Sequence, residues 1–134
     1  MLILRDPDEV STIADKGIRE LVSQRFLDIA ADDEYDDEIH GYFIVLEAGD
    51  SVAVLEAETS CPILHNHRVT IRYGEPSYIP CFEIIEEHAT CFEMVFVLNE
   101  GGYGVVIFIP KEAGIDPVLL SLCQSYAIPA PELA

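Results

Sequence analysis

Apolar residues in the first third of the chain recur at spacings of three and four: Val10, Ile13, Ala14, Ile18, Leu21, Val22, Phe26 and Ile29. That period puts them on one face of a helix, with Asp15, Lys16, Arg19, Glu20 and Ser23 largely elsewhere. Asp6-Pro7-Asp8-Glu9 reads as its start, with an N-cap acid, proline at the first helical position and a box-like Glu. The phase continues across Gly17, so the pattern predicts one helix to about Ala30, although glycine costs ~1 kcal/mol against alanine there. Leu2 to Arg5 reads as a short leading strand.

From Gly41 the period changes. Tyr42 to Glu47 and Val52 to Ala57, joined by Ala48-Gly49-Asp50-Ser51, form an expected antiparallel hairpin. Further strands are expected at Phe82 to Glu87, Met94 to Leu98 and Tyr103 to Ile109. Connections as short as His88-Ala89-Thr90 and Asn99-Glu100-Gly101-Gly102 favour antiparallel neighbours. Met94 to Leu98 and Val105 to Ile109 are apolar at successive positions, so both faces must be covered, by helix on one side and by a partner or curled sheet on the other. Asp116-Pro117 starts a second helix through Tyr126, with Val118, Leu119, Leu122 and Cys123 inward. Ile128-Pro129-Ala130-Pro131 ends it as an extended tail. The expected fold is α+β, one domain over 1–134: an antiparallel meander of about five strands, an N-terminal helix and a short C-terminal helix.

Charge changes this picture at the surface. The chain carries 25 Asp and Glu against 7 Lys and Arg, a formal net charge of -18, yet half of its residues are apolar. Disordered acidic chains lack the apolar residues that offset ordering entropy; this one keeps them, so it should fold and carry its acidity outside. Such a field repels nucleic acid and anionic membranes, whose binding depends on basic side chains. Its natural complement is a basic protein surface, against the plainer reading that the acidity only keeps the protein soluble. No apolar run approaches the ~18 residues of a membrane span, and Met1 to Pro7 do not resemble a signal peptide. The expectation is a cytoplasmic protein with reduced Cys61, Cys81, Cys91 and Cys123.

Asp32, Asp33, Glu34, Asp36, Asp37 and Glu38 crowd six carboxylates into seven residues. Mutual repulsion disfavours regular structure there, so the segment is expected to be a solvated loop and the leading candidate for docking a partner. It lacks the glycine and spaced terminal Glu of a calcium loop. Thr59 to Gly74, in contrast, contains no acid and holds His65, His67, Arg68 and Arg72. Cys61, His65 and His67 are zinc-ligating types, with His40, His88, Cys81 or Cys91 as conceivable fourth ligands, but the spacing fits no standard structural site. The competing reading of this strip is electrostatic, as an offset to the acidic surface.

No catalytic residue can be singled out: cysteine chemistry needs a lowered thiol pKa and close geometry. Gly101-Gly102-Tyr103-Gly104 serves a turn and not a phosphate loop. The sequence therefore points to a non-enzymatic binding or regulatory protein docking a basic protein through its acidic surface. The alternative is a small metal-binding protein or enzyme centred on Cys61, His65 and His67, and without it no cofactor is expected. The apolar content, large for one sheet and two helices, adds the expectation of a homodimer.

Overall fold

The computed structural model describes residues 1–31, 42–59, 81–97 and 104–129. Six strands form one mixed sheet: β1 (Leu2–Leu4), β2 (Tyr42–Val45), β3 (Cys81–Glu87), β4 (Cys91–Val97), β5 (Gly104–Pro110) and the two-residue β6 (Ile128–Pro129). Their spatial order is β1-β2-β5-β4-β3-β6. The hairpin pairs β3·β4 and β4·β5 are antiparallel, as the short connections imply, and so is β1·β2. β2 lies parallel to β5, however, and β6 lies parallel to β3. The fold is α+β, but the sheet is mixed and not a purely antiparallel meander.

The expected partner of β2 explains the difference. Val52–Thr59 is not a strand but helix α2. Its Ala, Leu and Glu content favours helix, the Ser51 hydroxyl accepts from Val54 N–H at 3.3 Å, and Val52 and Leu55, three apart, are buried. Alternation of valine and alanine resembled a strand, but the helix turns Val52 and Leu55 inward and leaves Val54 exposed. With that segment in a helical layer, the free edge of β2 receives β5.

The N-terminal helix is also divided. Pro7–Thr12 is a 3-10 turn, Ile13 is extended, and helix α1 spans Lys16–Ala31. Ser11 and Thr12 hydroxyls bond back to the carbonyls of Asp8 and Glu9, which competes with helix propagation at a β-branched stretch. Asp15 then caps α1: its carboxylate accepts from Ile18 N–H at 3.0 Å and its carbonyl from Arg19 N–H. Gly17 therefore sits in the first turn of a new helix, where glycine costs less than in a helix interior. A methyl group there would lie 3.2 Å from Thr90 Oγ1 and 3.3 Å from Asp15 Oδ1, so glycine lets the helix start approach the β3–β4 turn.

Helix α3 (Pro117–Tyr126) follows the sequence reading in its limits and in its cap, Asp116, whose side chain accepts from Val118 N–H at 3.0 Å. Leu119 and Cys123 are buried and Leu122 partly so, but Val118 faces solvent, 54% exposed, contrary to expectation. It is the second helical residue, at a first turn that precedes the inward face.

Helices cover both faces of the sheet. Beneath α2 and α3 pack Ile44, Leu46, Ile85, Phe92, Met94, Val105, Ile107 and Ile109 with Val52, Leu55, Ile115, Leu119 and Cys123. Beneath the 3-10 turn and α1 pack Leu4, Phe43, Val45, Cys91 and Phe108 with Val10, Ile13, Ile18 and Val22. The Phe26 and Phe43 rings meet edge to face at 4.5 Å between centroids. This accounts for the continuous apolar runs in β4 and β5, and no partner is needed to cover the second face of β5. The uncovered face from which a homodimer was expected is not found among the described residues. No described helix is long and apolar enough to cross a membrane.

Candidate functional site

One charged side chain lies inside the protein among the described residues, and the surrounding chemistry converges on it. Strand β4 alternates Phe92 and Met94 toward α2 and α3 with Cys91 and Glu93 toward α1. Glu93 is 2% exposed. Arg25 reaches it from α1, seven residues after Ile18 and so on the same inward face. The guanidinium donates from Nε to Glu93 Oε2 at 2.6 Å and from Nη2 to Oε1 at 2.8 Å, a bidentate pair. Its third edge donates from Nη1 to Asp28 Oδ2 at 3.2 Å.

His88 completes the group. It follows β3 directly, and its N–H donates to the carbonyl of Cys91, closing the tight turn over Ala89 and Thr90. That turn brings His88 Nε2 to 2.8 Å from Glu93 Oε1. Glu86, opposite Glu93 in the β3·β4 register, places Oε2 at 4.0 Å from the same nitrogen. Glu86, His88 and Glu93 thus offer three ligand atoms within 4.8 Å of one another.

The electrostatics follow from burial and these partners. Burial alone would push the Glu93 carboxyl up, but hydrogen bonds from Arg25 and His88, and the nearby guanidinium charge, hold it below the usual carboxylate range. Arg25 is raised in turn by its bond to Glu93, against partial burial. Nearby Cys91 is different: burial, reinforced by Glu93 and Asp15, pushes its thiol up to about 12. Burial does the same to Cys123. Neither is ionised at neutral pH, so neither is an activated nucleophile.

A cavity of about 530 Å³ opens at the same end of the sheet, lined by Ile13, Asp15, Glu47, Thr90, Lys111 and Glu112 among others. Most of its polar groups are already engaged. Asp15 caps α1, Glu47 pairs with the N-terminal amine, and Lys111 donates to Glu87 at 2.8 Å while lying over the Phe92 ring.

Asp32, Asp33, Glu34, Asp36, Asp37 and Glu38, and Cys61, His65 and His67, lie outside the described residues. Of the conceivable fourth ligands, His88 is in the charged group and Cys91 is in the core. Arg25, Glu86 and Glu93 were not foreseen. The available signal was Glu93 itself, an acid at an inward position of an otherwise apolar strand, which demands a buried counter-charge. Compared with protein-family models, curated proteins and solved structures, the chain matches none.

Proposed function

We propose that the chain is a non-enzymatic binding or regulatory protein, of an inhibitor, immunity or charge-mimic kind, that docks a basic protein partner through acidic surface. The observation that carries this reading is the state of four cations among the described residues. Lys16 lies 3.9 Å from Glu20, Arg19 donates to the Ile13 carbonyl, Arg25 holds Glu93 and Asp28, and Lys111 holds Glu87. These contacts all stay within the chain, the Lys16–Glu20 pair at the surface, while carboxylates such as Asp6, Asp8, Glu58 and Glu112 face solvent. The acidity is therefore an outward field available to a partner. The buried thiols, with pKa values near 12, add no nucleophile that would favour an enzyme.

Within this reading, Asp32 to Glu38 is the docking segment and the compartment is the cytoplasm. With a partner identified by co-purification at low salt, association should slow as salt rises, since exposed charges are screened over ~8 Å at physiological ionic strength. Changing Asp33, Asp36 and Asp37 together to Asn should slow association more than it speeds dissociation. An association rate indifferent to both salt and the triple substitution would sink the proposal. Homodimerisation is supported by the exposed apolar side chains Leu27, Val54, Val118 and Tyr126 among the described residues, and sedimentation as a monomer across micromolar concentrations would remove it. The alternative centre at Cys61, His65 and His67 predicts zinc in the purified protein that substitution of those three residues abolishes.

A further inference from the structure

The geometry points to a divalent transition-metal site of zinc type at the β3–β4 turn, formed by Glu86, His88 and Glu93. Three observations on the molecule carry it. The first is composition: two carboxylates and one imidazole suit Zn²⁺ and its neighbours, whereas Mg²⁺ and Ca²⁺ prefer oxygen alone. The second is charge. Glu86 and Glu93 bring two carboxylates to one imidazole, and Glu93 shares its guanidinium with Asp28, so three carboxylates gather around a single arginine-bearing group that a divalent cation complements. The third is that the Glu86 carboxylate, unlike that of Glu93, meets only His88, at 4.0 Å, among the described residues.

The distances are compatible with coordination after small movements. Metal bonds of about 2.0–2.2 Å set tetrahedral ligand atoms roughly 3.3 Å apart. The 2.8 Å between His88 Nε2 and Glu93 Oε1 must open slightly, and the 4.0 Å to Glu86 must close slightly. Glu86, with 36% of its side chain exposed, has room to turn. Arg25 is no obstacle, because each carboxylate oxygen has two lone pairs and the guanidinium occupies one on each; the second lone pair of Oε1 is the one that His88 Nε2 meets, so the metal enters between them with the imidazole proton on Nδ1. It becomes the positioning residue that fixes Glu93 from behind, as outer partners of metal-binding carboxylates do. The partial exposure of Glu86 and His88 leaves the fourth position open to water.

Calorimetric titration of the full chain with Zn²⁺ tests the site. One equivalent should bind, Mg²⁺ should not compete at tenfold excess, and His88→Gln should weaken binding by about 30-fold. Glu86→Gln should weaken it by about 10-fold. His88→Gln retains an amide donor toward Glu93, so unchanged circular dichroism and thermal unfolding certify its fold. A control with Cys61→Ser, His65→Gln and His67→Gln together should bind as the parent does. The site is overturned if no stoichiometric binding occurs, if His88→Gln binds unchanged, or if the triple control loses the metal.

Discussion

Arg25 and Glu93 stand 68 residues apart in the chain, yet two near-parallel N–H···O bonds of 2.6 and 2.8 Å join them. The pair fastens α1 to the middle of the sheet at the point where β4 turns an acid inward. Glu93 is almost wholly enclosed, and Arg25 retains 29% of its side-chain exposure. The burial is therefore unequal, and so are the expected consequences of removing each partner.

Arg25→Met should destabilise the protein by about 3 kcal/mol, because it leaves a carboxylate enclosed without its counter-charge. Glu93→Gln should cost less, since a neutral amide can still meet the guanidinium and Arg25 reaches water. The double variant Arg25→Met with Glu93→Met should recover much of the loss, as apolar replacements of buried pairs often do. Urea unfolding of Arg25→Met, Glu93→Met and their combination closes a double-mutant cycle that measures this, with Glu93→Gln beside it. A double variant no more stable than Arg25→Met alone would contradict it.

Gly17→Ala sets helix propensity against crowding. The new methyl group would lie 3.2 Å from Thr90 Oγ1, closer than ordinary contact. The expected result is a change within about 0.5 kcal/mol of zero in the parent, because the gain in helix propensity and the crowding against Thr90 oppose each other. In a Thr90→Ala background the same substitution should become stabilising. Equal effects in both backgrounds would show that Thr90 is not the constraint.

Cys123 provides an alkaline signature. Its folded pKa, raised by burial to about 12, exceeds the ~8.5 of an unfolded thiol. The raised value means that the folded state holds the proton which the unfolded chain releases. Its contribution is therefore complete below pH ~8.5 and is lost progressively as pH rises toward 12, reaching about 2 kcal/mol by pH 10. Cys123→Ala, although less stable overall, should lose less stability between pH 8 and pH 10 than the parent. Parallel pH profiles in denaturant unfolding would refute this.

Asp116 joins two helices on the face opposite Arg25. Its carboxylate caps α3 through Val118 N–H and lies 3.5 Å from Val52 N at the start of α2, while its own N–H donates to the Asp50 carbonyl. Asp116→Ala should cost about 1–2 kcal/mol, the range of a lost N-cap, and Asp116→Asn should retain most of it. Thermal unfolding that ranks Asn with Ala would show that charge, and not hydrogen bonding, carries the effect.

Local periodicity made much of the fold readable. The limits of α3 follow from Asp116-Pro117 and the apolar spacing after it, and the β3·β4 and β4·β5 pairs follow from connections too short for a crossover. Each depends on residues close in the chain, where propensity and turn chemistry act directly. The successive apolar residues of β5 also announced two covered faces, but not that α2 and α3 cover one while α1 and the 3-10 turn cover the other.

Where nonlocal packing decides, the local pattern was insufficient. Val52–Thr59 satisfies strand and helix patterns about equally over eight residues, and only its place between Ser51 and Asp116 settles the matter. The parallel union of β2 with β5 joins segments that no turn signal connects. The charged group at Glu93 was hidden for the same reason: Arg25, His88 and Glu93 carry no spacing motif, and their meeting requires α1 to lie across β4. Sequence alone determined that this chain folds around a large core beneath an acidic surface, because composition fixes how much apolar area and charge exist. Tertiary structure decided which acid is buried and which cation answers it, because that choice depends on which distant segments share a face.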